Sequence, residues 1–89
     1  MSTLIIDSTS GVLPRLKVFF EERGLPNISL ARTAAEARTY LDEKSKSTSD
    51  ADKVSLIVID GKLEDGDGFE LCRQIRKWPA VEHAYIIVL

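Results

Sequence analysis

Asp7 and Asp60 each stand directly after a run of branched apolar residues, Leu4-Ile-Ile6 and Leu56-Ile-Val-Ile59, a placement that gives these two carboxylates a chance to do chemistry together. Carboxylates brought close repel, so one of them would hold its proton at a raised pKa unless a cation lay between them. A hard divalent ion bound through oxygen is the usual remedy, and magnesium is the natural candidate. Such an ion would also neutralise an incoming phosphoryl group, and a carboxylate beside it can act as nucleophile and accept that group as an aspartyl phosphate. Spacing alone leaves a second reading open, in which both aspartates merely end strands and accept hydrogen bonds from loop amides.

More than fifty residues separate Asp7 from Asp60, so the chemistry depends on the elements that position them. Thr3 to Ile6 and Val54 to Ile59 are Ile- and Val-rich runs of strand length, of the kind buried on both faces of a sheet. Tyr85 to Leu89 has the same character, and Ile28 to Leu30 is a shorter candidate after the turn residues Pro26 and Asn27. Val12, Leu13, Leu16, Phe19 and Phe20 recur at helical spacing, with Pro14 suited to a first turn and Gly24 to a helix end. Thr33 followed by Glu36 has capping-box form, and Ala34, Ala37 and Leu41 mark the apolar face of a second helix. A third helix is expected over Phe69 to Lys77, with Asp67 and Glu70 placed to cap its start reciprocally. The stretch from Glu43 to Lys53 is rich in Ser, Lys and Asp and reads as a solvated loop.

Strands alternating with helices predict an α/β fold: an open parallel sheet joined by right-handed crossovers, with helices on both faces. Ligands of such sheets bind beyond the carboxyl ends of the strands, where successive connections leave in opposite directions. With the first strand between the second and third, Asp7 and Asp60 meet at that crevice.

Composition narrows the function further. The chain is 44% hydrophobic and 29% charged with a formal charge of −2, which suits one small domain and lacks the clustered basic face that nucleic-acid binding requires. No apolar run approaches the ~20 residues that cross a bilayer, and the opening residues lack the basic flank of a secretory signal. A cytoplasmic location is expected, in keeping with the single cysteine, Cys72, which reads as a small buried hydrophobe. A calcium loop through Asp65, Asp67 and Gly68 fails because Leu63 and Gln74 fall at its first and last ligand positions. A P-loop ending at Gly61-Lys62 fails because its first glycine would be Leu56, and no G-x-G-x-x-G follows a strand. A flavin site of flavodoxin type would want more hydroxyls and glycines than Asp7-Ser-Thr-Ser-Gly11 offers. His83 and Trp78 read as a surface histidine and a packing residue.

Thr3-Leu-Ile-Ile-Asp7, the helix through Glu21-Glu22-Arg23-Gly24, and Leu56-Ile-Val-Ile-Asp60-Gly-Lys-Leu-Glu-Asp-Gly-Asp67-Gly68-Phe-Glu-Leu-Cys-Arg-Gln-Ile-Arg76 together resemble a response-regulator receiver domain of two-component signalling. The resemblance covers essentially the whole chain. It implies a flavodoxin-like strand order of 2-1-3-4, with Asp60 as phosphoacceptor and magnesium held by Asp7, Asp60 and the backbone carbonyl of Lys62. It further implies a sensor histidine kinase or histidine phosphotransfer protein as donor, an output surface or attached output domain, and no enzyme activity beyond magnesium-dependent self-phosphorylation.

Departures from the family pattern are visible. Receivers usually carry two consecutive acids after the first strand, whereas Ser8 follows Asp7 here and should lower metal affinity. Glu64 stands where the family commonly has proline. The chain also reaches its last residue, Leu89, within the fourth strand, so residues 1–89 are expected to form one incomplete receiver domain whose fifth strand is missing. The hydroxyl residue expected after strand four and the lysine expected after strand five are then missing too. An unpaired apolar edge of that kind invites a dimer or strand exchange. The competing function is a pseudo-receiver, an interaction module that keeps the fold without depending on phosphorylation.

Overall fold

The computed structural model describes residues 2–8, 12–24, 27–47 and 53–89. Four strands, β1 (Ser2–Ile6), β2 (Ile28–Ala31), β3 (Val54–Ile59) and β6 (Tyr85–Val88), form one sheet in the order β2-β1-β3-β6. Every pairing in it is parallel. This is the anticipated 2-1-3-4 order. It comes from crossovers through α1 (Val12–Glu22), α2 (Ala34–Ser45) and α3 (Gly68–Ile75), because parallel neighbours cannot be joined by a tight turn.

The pleat sends alternate side chains to opposite faces, and the two faces are covered differently. Leu4 and Ile6 of β1 and Ile57 and Ile59 of β3 join Ala37, Leu41, Leu71, Ile75 and Val81 in the buried core beneath α2 and α3. Ile5 and Val58, register partners with reversed orientation, are buried on the other side, where α1 packs against β1 and β2. Further along that side β6 is open: Tyr85, Ile87 and Leu89 are large apolar residues left exposed. Among the described residues β6 pairs with β3 alone.

Helix ends follow local chemistry with some corrections. Gly24 stops α1 at φ +81°, a left-handed conformation that glycine adopts without steric penalty, and its amide donates to the Glu21 carbonyl at 3.0 Å. Thr33 caps α2 by accepting the Glu36 amide at 3.1 Å, but the Glu36 carboxylate returns to the amide of Arg32 rather than to that of Thr33. Asp67 caps α3 through the Phe69 amide at 2.7 Å, while Glu70 pairs along the helix with Arg73 instead of closing a box. The loop expected from Glu43 begins later, because α2 continues to Ser45. That extra turn is retained because the Ser45 hydroxyl accepts the Ala80 amide at 3.2 Å, tying α2 to a 3-10 turn at Pro79–Val81. The centre of the predicted loop, residues 48–52, lies outside the described residues, as do Pro26 and the residues 9–11 weighed for a flavin site. Helix α3 ends at Ile75, two residues earlier than its pattern suggested. Cys72 is half-buried, Trp78 packs partly buried against the core, and His83 is exposed.

Candidate functional site

Parallel register decides where the two carboxylates fall. Ile6 pairs with Ile59 across β1 and β3, and the amide of Asp60 donates to the carbonyl of Ile6 at 2.9 Å. Asp7 and Asp60 are therefore the next residues on two neighbouring strands, at the same carboxyl rim. Strands lie roughly 4.8 Å apart in the hydrogen-bonding direction, a spacing at which one cation can span both side chains. On its other side Asp7 donates its amide to the Ala31 carbonyl at 3.0 Å, which fixes it between β2 and β3. Asp7 is 7% exposed and Asp60 is half-buried, so the second is the more approachable of the pair.

The loop after β3 holds Asp60 from below. Its Oδ1 accepts the Lys62 amide at 3.1 Å, a bond that orients the carboxylate. This is the loop-amide contact foreseen in the plainer reading of the two aspartates, and it is compatible with the chemical one. The Lys62 side chain is exposed.

Two glycines set how closely α3 approaches this rim. The Gly68 amide donates to the Gly61 carbonyl at 3.0 Å, and a Cβ on Gly68 would lie 2.2 Å from the Asp60 carbonyl oxygen. No side chain fits there. A Cβ on Gly61 would meet the Leu89 carbonyl oxygen at 2.8 Å. The Asp67-Gly68 pair at the start of α3 thus has two jobs, an N-cap from the aspartate and a close backbone approach from the glycine.

Between Asp60 and α3 the chain makes a miniature hairpin, with β4 (Lys62–Leu63) antiparallel to β5 (Gly66–Asp67). Sequence patterning does not reach strands of two residues. Leu63 plugs the hairpin into the core, while Glu64 and Asp65 at its tip are exposed. The Asp65 carboxylate accepts two amides from the start of α2, Ala34 at 2.7 Å and Ala35 at 3.0 Å. Ser8 reaches the same hairpin: its hydroxyl donates to the Arg32 carbonyl and accepts the Glu64 amide, the latter at 2.8 Å. Sequence reasoning missed Asp65, because its partners are about thirty positions away and leave no local signature.

Those two amides, Ala34 first, hold the Asp65 carboxyl below its ordinary value by stabilising the ionised form. A depressed folded pKa contributes stability above the unfolded value, which is lost as pH falls through the folded one. The amide proton shifts of Ala34 and Ala35 are accordingly expected to titrate together in an NMR pH series, with a midpoint below the ordinary aspartate value of about 3.9. A midpoint at or above that value would contradict the contact.

As a donor set, two carboxylates and a backbone carbonyl suit magnesium, which is bound through one or two carboxylates and keeps several waters. Among the described residues no group of three His, Cys, Asp or Glu side chains converges to hold a metal. A third acid has no counterpart at the rim, since position 8 carries a hydroxyl already engaged by Arg32 and Glu64.

Residues 3–89 match the family model described as the response regulator receiver domain. The chain is 34% identical over 77 residues to the transcriptional regulatory protein YvrH of Bacillus subtilis, covering 86% of this chain and 29% of that protein. It is 24% identical over 85 residues to the chemotaxis protein CheV1 of Helicobacter pylori, covering 96% of this chain and 25% of that one. It therefore spans between a quarter and a third of these relatives' lengths. Among solved structures, a response regulator receiver protein from Pseudomonas putida superposes with a TM-score of 0.76 at 25% identity, over 99% of this chain and 65% of that chain. The MaeR response regulator bound to beryllium trifluoride gives the same TM-score at 22% identity, over 100% of this chain and 66% of that one, a likeness of fold.

Proposed function

The chain belongs to the response regulator receiver domain family of two-component signalling, and from that premise we propose that Asp60 is its phosphoacceptor, in a magnesium site made with Asp7 and the Lys62 carbonyl. The observation that carries this reading is the strand register, which sets Asp7 and Asp60 side by side at one rim with Asp60 Oδ1 engaged by the Lys62 amide.

In the proposed step, Asp60 Oδ2 attacks the phosphorus of a phosphohistidine donor. A new O–P bond forms as the P–N bond breaks, and the imidazole leaves with the bond's electron pair and takes up a proton. Bound magnesium would screen the negative charge that two carboxylates and a phosphoryl group bring together. Asp7 supplies the second anionic ligand, and the Lys62 amide keeps Asp60 from rotating away. Residues 1–89 are proposed to belong to a single receiver domain. The donor is a sensor histidine kinase or a histidine phosphotransfer protein, and phosphorylation biases an output surface or an attached output domain. We place this exchange in the cytoplasm, without membrane or nucleic-acid contact through this segment. No helix among the described residues is long and apolar enough to cross a membrane.

Incubation with acetyl phosphate and magnesium tests the reading. The expected result is a mass increase of one phosphoryl group, stable in acid, lost in base and absent when EDTA is added. No adduct would favour the pseudo-receiver, the reading to which the engaged hydroxyl of Ser8 lends weight because it replaces an anionic ligand.

A further inference from the structure

We infer that Ser8 and Asp65 form a latch that pins the hairpin after β3 to the β2–α2 corner, and that both are positioning residues for magnesium and phosphoryl binding at Asp60. The inference rests on the reading of Asp60 just given and names how its loop is held.

The hairpin between Gly61 and Gly68 carries the amide that orients Asp60 and the carbonyl proposed as a metal ligand, both from Lys62. Its base is fixed by the Gly68 amide on the Gly61 carbonyl, and its middle by buried Leu63. Glu64 and Asp65, at the exposed tip, would be free to swing without a tie from outside. The tie comes from one short corner. Arg32 offers its carbonyl to Ser8, while Ala34 and Ala35 offer their amides to Asp65. Ser8 then closes the circuit by accepting the Glu64 amide. Three loops, those following β1, β2 and β3, are joined around the same rim by four hydrogen bonds and two side chains.

Serine suits this role and aspartate does not. A hydroxyl donates and accepts at once, whereas an ionised carboxylate only accepts. An acid at position 8 could take the Glu64 amide but would face the Arg32 carbonyl with a negative charge. The position is thus committed to holding the loop, and the metal is left with two carboxylates. On this account the departure from the family pattern at Ser8 exchanges one magnesium ligand for a preorganised Lys62. Asp65 completes the arrangement from the solvent side: its two acceptor oxygens match two successive amides at the first turn of α2, which have no partner within the helix.

The test uses the full chain with Asp65→Ala, Asp65→Asn and Ser8→Ala, each read by hydrogen exchange and by titration with magnesium alone. Asp65→Ala is expected to speed exchange at Ala34 and Ala35 at least tenfold and to weaken magnesium about tenfold, the lower end for residues that orient metal ligands. Asp65→Asn, which keeps one acceptor oxygen, should fall between. Ser8→Ala should speed exchange at Glu64, and combined with Asp65→Ala it should weaken magnesium by less than the product of the single effects, since both act on one loop. Circular dichroism and thermal unfolding in the absence of metal separate this from loss of fold, because Asp65 lies at an exposed tip. Unchanged exchange at these amides would overturn the latch. Faster exchange with magnesium affinity held within twofold would overturn the positioning role. If the unsubstituted chain bound no magnesium and took no phosphoryl group, the functional reading and the positioning role would fall together, while exchange would still decide whether the latch exists.

Discussion

Asp60→Asn is expected to abolish labelling by acetyl phosphate, lowering the rate by at least about a thousandfold to background. The substitution is close to isosteric, and the amide oxygen still accepts the Lys62 amide that Oδ1 accepts now at 3.1 Å. Backbone anchors such as the Asp60 amide on the Ile6 carbonyl are untouched. What disappears is the proposed nucleophile, since a carboxamide oxygen does not form a stable bond to phosphorus under these conditions, and with it one of the two charges that would be offered to magnesium. Stability in metal-free buffer should change little, because the side-chain hydrogen bond that Asp60 accepts from the Lys62 amide is kept. Intact-mass kinetics beside thermal unfolding checks both halves. Undiminished labelling would move the phosphoacceptor elsewhere.

Gly68→Ala is expected to be the most damaging single methyl addition at the site. The new Cβ would lie 2.2 Å from the Asp60 carbonyl oxygen, 2.9 Å from the Gly61 Cα and 3.0 Å from the Asp60 carbonyl carbon. All three are backbone atoms, so no rotamer change relieves the contact, and either α3 or the strand end must move. Overpacking of this kind costs about 3 kcal/mol, a large fraction of the roughly 5–15 kcal/mol that holds a domain folded. For a domain of this size that corresponds to a drop in Tm of roughly 12–24 °C. Gly66→Ala is the internal control. A Cβ there meets nothing within 4 Å, and the change should stay within about 0.5 kcal/mol. Equal melting temperatures for the two variants would contradict the close approach of α3 to Asp60.

The parts of this molecule that could be read from sequence are those with a local cause. The branched apolar runs before Asp7 and Asp60 betray strands buried on both faces, and alternation with amphipathic helices leaves parallel pairing as the workable arrangement. From there the rim follows. The Thr33 and Asp67 caps were legible because each accepts an amide two or three positions ahead. What could not be read depends on contacts distant in sequence. The last turn of α2 has no large apolar residue, and its Ser45 bonds to Ala80, thirty-five positions on. The reciprocal box at α3 failed because Arg73, one turn along, competes for Glu70. Ser8 looked like a weakened metal ligand; its bonds to Arg32 and Glu64 belong to loops 24 and 56 residues away. Asp65 carried no signal at all.

Asp60 is the residue proposed to take the phosphoryl group. Borohydride reduction of the chain after acetyl phosphate and magnesium treatment, followed by peptide mass spectrometry, reads this directly, because the reagent converts an aspartyl phosphate to homoserine. The predicted result is homoserine at position 60 and unmodified aspartate at position 7. Homoserine at Asp7 or at another carboxylate, with position 60 left as aspartate, would contradict it.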